Sequence, residues 1–289
     1  MSASSEDMLP SATARSRGGV GLAALLREWV YRHGVTVLAM IAIVYLLAPI
    51  AMMVALSFNK TVGRFDFAWH AFSIKAWLHP FSIEGLQSSL YVSLVVAVVA
   101  ATVATTFGTL LGYAQVKFSF YGKRLLDLLL LLTISTPEVI IGSSLLNLYL
   151  DIKIPTGMGT LMISHIMFDI AFTAIVVKSR LRTFDFALEH AAMDLGASGI
   201  RVFRKITLPL IAPAVIMGGL LAFMLSLDDF IISNFVSGPT VTFPLFVWGE
   251  ARVAMPPQIY VMGTCMFGVL TLLLAATATV DFLRRRAQT

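Results

Sequence analysis

The chain has 289 residues, 58% hydrophobic and only 13% charged, with a formal net charge of +5. A water-soluble domain carries about twice that charged fraction and cannot hide so much apolar surface. The basic residues stand between and at the ends of long apolar runs, which excludes a nucleic-acid-binding face and points to an all-α polytopic membrane protein.

In chain order, residues 1–34 contain Arg15, Arg17, Arg27 and Arg32. They lack the apolar core and small-residue cleavage site of a signal peptide. This segment is expected to be a cytoplasmic tail, with Leu22–Val30 amphipathic and suited to a membrane surface. Six spans follow in a transmembrane domain over 35–283: Val35–Phe58, Ser88–Val116, Leu125–Leu150, Thr160–Val177, Leu208–Phe235 and Ile259–Leu283. Each is long enough to cross a hydrocarbon core of about 30 Å at about 1.5 Å per residue. Residues 284–289 are a short second tail. The single cysteine, Cys265, lies inside the last run, so there is no disulfide framework.

Orientation follows from the basic residues. With the N-terminus in the cytoplasm, sixteen Lys and Arg fall on the cytoplasmic side and five outside, namely Lys60, Arg64, Lys75, Lys153 and Arg252. Positive charge collects inside, so both termini are expected in the cytoplasm. Trp69, Trp77 and Trp248 then fall in outer loops, where interfacial anchoring is the expected role and a cation–π contact to an amine the alternative.

The fourth and fifth spans are joined by Lys178–Thr207, far longer than the 2–8 residues usual between packed helices. Phe184, Leu188, Ala191 and Leu195 recur on one helical face, with Asp185, Glu189 and Asp194 largely off it. Gly196 is expected to break this helix and Ser198 to cap a second, in which Ile200, Phe203 and Ile206 alternate with Arg201, Arg204 and Lys205. Such a projecting helix–Gly–helix element suits docking to another protein.

The series His190-Ala191-Ala192-Met193-Asp194-Leu195-Gly196, nine residues, then Ile206-Thr207-Leu208-Pro209 resembles the EAA loop of binding-protein-dependent ABC importer permeases. His190 stands where that motif has Glu, and Glu189 immediately before it is about 100° away around a helix. Ser226-Leu227-Asp228-Asp229-Phe230-Ile231-Ile232-Ser233 and Pro137-Glu138-Val139-Ile140-Ile141-Gly142 are similar to segments of spermidine/putrescine permeases of the PotC and PotI type. The resemblance covers roughly 35–283 and implies a type I importer permease in a bacterial inner membrane. It also implies a cytoplasmic ABC ATPase dimer, a second homologous permease and an extracytoplasmic binding protein as partners. The loop, 183–209, would then sit in an ATPase groove through Glu189, His190, Ala191, Ala192, Asp194, Gly196, Ile206, Leu208 and Pro209. ATP and Mg would belong to the partner, and this chain would hold no cofactor.

The spans carry Glu138 near mid-span, Asp169 near mid-span one turn from His165, and Asp228-Asp229 near the outer end of the fifth span. Each costs about 2.5–3.5 kcal/mol to insert and is expected to face a pathway or a partner. With no Lys or Arg deep in the spans, they favour a polyamine over an anion. His165 and Asp169 are also spaced for a local i,i+4 pair, and adjacent Asp228 and Asp229 cannot both face one direction. A phosphate-binding G-x-x-x-x-G-K-[ST] loop is absent, as are Cys/His metal spacing and an arguable nucleophile–base set, so catalysis is not expected of this chain. Two further readings remain: an importer permease for another solute such as iron, thiamine or an amino acid, and a secondary transporter using Glu138 and Asp169 as a proton relay.

Overall fold

A computed structural model of the chain describes residues 22–63 and 68–286. Most of the expected N-terminal tail, Arg64 and the last three residues lie outside that range. Regular structure among the described residues is helical, apart from one isolated antiparallel bridge between Asn59 and Phe72. The chain divides into two units, 1–53 and 54–289. The described part of the first belongs to helix α1 (Leu22–Ser57), which begins upstream of the expected first span.

The second unit opens with the bridge loop. Lys60 N–H donates to Ala71 O (2.8 Å) and Ser73 N–H to Phe58 O (2.7 Å). The Asn59 amide ties the same loop, donating to Ala68 O (2.7 Å) and accepting from His70 N–H (3.0 Å). Short α2 (Lys75–Leu78) follows, with Trp77 stacked on Phe58 at 5.1 Å. The body is built on α3 (Leu86–Lys117), then α4 (Lys123–Ser135), α5 (Glu138–Asp151) and α6 (Met158–Leu181). After the loop helices α7 (Ala187–Asp194) and α8 (Gly199–Val202) and a π-helical turn, Phe203–Thr207, come α9 (Leu208–Asp228), α10 (Ile231–Val236), α11 (Phe243–Ala251) and α12 (Pro257–Arg286).

Lipid is as apolar as leucine, so spans associate through close van der Waals fit rather than by hiding apolar surface from water. Small residues on α3 supply that fit: Ala97, Ala100 and Ala104 are buried. A Cβ on Gly108 would come 2.7 Å from Thr173 Cβ, and one on Gly112 would come 2.9 Å from the Ala174 carbonyl. One turn away on α3, a Cβ on Gly219 of α9 would meet Thr105 Oγ1 at 2.8 Å. Three spans, α3, α6 and α9, thus pack closely, with glycines at their contacts.

Two expected spans differ from straight helices. The third is broken: α4 and α5 meet at 110°. Pro137 has no N–H to continue the ladder and forces Thr136 into an extended conformation (ψ 132°), so the helix ends there. The Thr136 N–H and hydroxyl both return to Leu132 O, at 2.8 and 2.6 Å. The fifth ends at Asp228 rather than Phe235, because Asp229 turns extended and its carboxylate accepts the N–H groups of Ile232 (3.2 Å) and Ser233 (2.8 Å), starting α10. Four helices among the described residues are long and apolar enough to cross a bilayer, or five if the bent pair is counted as one span. The α12 backbone covers the expected sixth.

Candidate functional site

The loop between α6 and α9 is the first candidate site. Gly196 ends α7 with φ +84°, a conformation that favours glycine, and its N–H bonds Met193 O at 2.9 Å. Ser198 stands at the start of α8, but its hydroxyl makes no capping bond there; the turn closes through the backbone, Val202 N–H to Ser198 O at 2.9 Å. The expected apolar face also divides. Phe184 packs inward, beside Tyr113, Val177, Leu181 and Ile211. Leu188, Leu195 and Ile200 point away from the chain, 48%, 90% and 76% exposed, and Ala191 and His190 are exposed with them.

Glu189, expected off the apolar face, is instead the buried side chain of α7, 1% exposed. Lys117 Nζ reaches its carboxylate at 2.5 Å, the Tyr113 hydroxyl lies 3.2 Å from both oxygens, and the Thr207 hydroxyl donates to Oε1. Lys117 also bonds the Tyr113 hydroxyl at 2.6 Å. Burial alone would push the Glu189 carboxyl up; the bonds from Lys117 and Thr207 outweigh it and hold the group below the usual carboxylate range. Of the other loop residues, Ala192 is half-buried and Asp194 exposed, while Ile206, Leu208 and Pro209 lead into α9. Sequence reasoning missed Lys117, Tyr113 and Thr207. Lys117 is one of the sixteen basic residues on the cytoplasmic side, and Thr207 lies between Ile206 and Leu208 at a position the resemblance gives no role.

The four acids form the second. Asp229 is tied into the fold: besides starting α10 it accepts the Ser233 hydroxyl (2.8 Å) and lies 3.4 Å from His165 Nε2. The His165 ring is held by Ser226 at 2.7 Å and Ser233 at 3.1 Å. The expected His165–Asp169 pair is therefore not made, because the histidine turns to α9 and α10. Asp169 is left 1% exposed, with neither oxygen hydrogen-bonded among the described residues. Asp228 points the other way. It is exposed and lines a pocket of about 340 Å³ with Phe230, Pro244, Trp248 and Met266. Glu138 is half-buried in the first turn of α5, within electrostatic reach of Asp229 and Asp228. The Trp248 ring, 5.2 Å from that of Phe230, already holds a cation, the Arg252 guanidinium at 4.8 Å.

Residues 104–288 match the family described as the inner membrane component of binding-protein-dependent transport systems. The chain belongs to that family. As an inner-membrane component it is similar to the putrescine transport system permease protein PotI of Escherichia coli K12, with 36% identity over 242 residues, 81% of this chain and 85% of the relative. The spermidine/putrescine permease protein PotC of Haemophilus influenzae is 35% identical over 80% of this chain and 89% of its own. PotC of Escherichia coli K12 is 36% identical over 80% and 86%. Among solved structures, the fold resembles a bacterial ABC transporter involved in import of the acidic polysaccharide alginate, with a TM-score of 0.64 at 15% identity over 89% of this chain and 97% of that one. The MetNI methionine ABC transporter in an inward-facing form follows at 0.55 and 14%, over 71% and 96%. At these identities the likeness is one of fold, shared by transporters of an acidic polysaccharide and of methionine.

Proposed function

We propose that this chain forms, with a second related permease, the pathway through which spermidine or putrescine enters the cell, driven by a cytoplasmic ATPase dimer and fed by an outer binding protein. The observation that carries the ATPase half is the inverted loop: α7 buries its carboxylate and exposes Leu188, and Leu195 just after it and Ile200 on α8 are exposed too, an apolar surface made to be covered. A groove on the ATPase is the cover that the EAA-like spacing of Ala191, Ala192, Gly196, Ile206 and Pro209 calls for. His190 and Asp194, both exposed, lie on the same projecting element. The charge pattern supports a cytoplasmic position for both termini.

The polyamine half rests on identity with PotI and PotC along most of the chain, and on acids unmatched by deep cations. Glu138 and Asp228 offer weak, partly solvated carboxylates, suited to pass an amine on rather than trap it. Asp169 offers a buried one, and Asp229 shapes the turn that presents Asp228. Uptake of labelled spermidine, putrescine, ferric iron, thiamine and anions by membranes holding the whole transporter tests the cargo. Amine uptake alone is expected. Uptake of an anion and of no amine would overturn the cargo assignment while leaving the importer reading intact.

A further inference from the structure

The bonds that converge on Glu189 join three segments of chain that are far apart in sequence. Tyr113 and Lys117 belong to the last two turns of α3, Thr207 stands directly before α9, and Glu189 itself is on α7. Leu188 of α7 and Leu195 just after it face away from the body, so a load applied there passes to the spans through the inward side of α7, where Glu189 is the buried contact, or along the chain itself. From α8 to α9 the chain passes through the π-helical turn Phe203–Thr207, a wider winding that single turns adopt at functional breaks in helices. Glu189 bridges across that turn, bonding Thr207 at its far end, while Phe203 at its near end packs on the Tyr113 ring at 4.9 Å. Bonds to an ionised carboxylate are directional and about twice as strong as neutral ones.

From this juxtaposition we infer that Lys117, Tyr113 and Thr207 are positioning residues for energy coupling: with Glu189 they form an internal strut that makes α7, α3 and α9 move together when a partner pushes on the loop. Resting on the ATPase-driven reading above, the strut adds its transmission. Glu189 then acts from inside the chain rather than at the partner's surface.

The test uses the complete transporter in proteoliposomes, with ligand uptake and ATP hydrolysis measured on the same preparation and assembly checked by the ATPase retained on purification. Lys117→Met and Thr207→Val should each lower uptake per ATP hydrolysed by about tenfold in complexes that still hold the ATPase. Lys117→Arg should keep most of it, and the exchange of Lys117→Glu with Glu189→Lys should recover more than either single reversal. The Lys117→Met and Thr207→Val losses should not add, because both break one network. Assembled Lys117→Met complexes with the parent's uptake per ATP would overturn the strut. So would assembled complexes in which neither Lys117→Arg nor the exchange restores coupling. If the parent transporter retains no ATPase, the importer reading fails first, and the strut with it.

Discussion

Replacing Leu195 by Asp separates what the coupling loop needs for folding from what it needs for docking. Leu195 is 90% exposed, so its side chain contributes almost nothing to the chain's own packing, and the substitution should change its stability by no more than about 0.5 kcal/mol. Nearly the whole side chain is available to a partner instead. Burying a leucine stabilises by about 1.5–3 kcal/mol, which translates into roughly 10- to 150-fold in affinity. A carboxylate in its place must also be stripped of water, which pushes the loss toward the upper end. Leu188, at 48% exposure, has about half as much to give, so Leu188→Ala should weaken binding several-fold less. The assay is binding of fluorescently labelled ATPase subunits to the permease pair in nanodiscs, beside thermal unfolding of the same samples. An affinity within about twofold of the parent, with unfolding unchanged, would refute the assignment of this face as the docking surface.

Gly196→Val should also disturb the loop, because φ +84° is strained for a β-branched residue; a loss of about 1–2 kcal/mol in local stability, read as faster proteolysis between α7 and α8, is expected with the spans intact. Glu189 is held below the usual carboxylate range, so its contribution is present above about pH 4.3 and is lost as acid protonates the folded group below that value. Glu189→Gln should therefore lower the unfolding temperature at pH 7 and flatten that part of the acid dependence. Asp228→Asn should slow amine uptake without changing the unfolding midpoint, whereas Asp229→Asn should lower the midpoint, since only Asp229 ties His165 and the start of α10; equal effects on both readouts would contradict the division of roles.

Much of this was legible because membrane physics writes itself in composition. Apolar runs marked α3, α6 and α9, and Gly196 marked the end of α7, where a positive φ leaves little choice of residue. What stayed hidden depended on partners distant in sequence. The polar run Ser135-Thr136-Pro137-Glu138 interrupts Leu125–Leu150 at the break, but a run of four residues does not by itself tell a kink in a continuous span from a 110° turn. His165 and Asp169 have ideal helical spacing for each other, yet Ser226, Ser233 and Asp229 arrive from α9 and α10 and take the histidine. On α7 the amphipathic pattern was legible and its direction was not. Periodicity locates an apolar face without saying whether the chain itself or a partner covers it, and Glu189 beside Lys117 reverses the usual answer.

The measurement that tests the central claim most directly is ATP-dependent accumulation of labelled spermidine by proteoliposomes containing this chain, its paired permease, the ATPase dimer and the binding protein. The account predicts uptake that requires ATP hydrolysis, is abolished by omitting the ATPase, and falls about tenfold or more with Leu195→Asp, as the weakened docking demands. Spermidine accumulation that proceeds without ATP, or that is driven by an ion gradient and indifferent to Leu195→Asp, would contradict it.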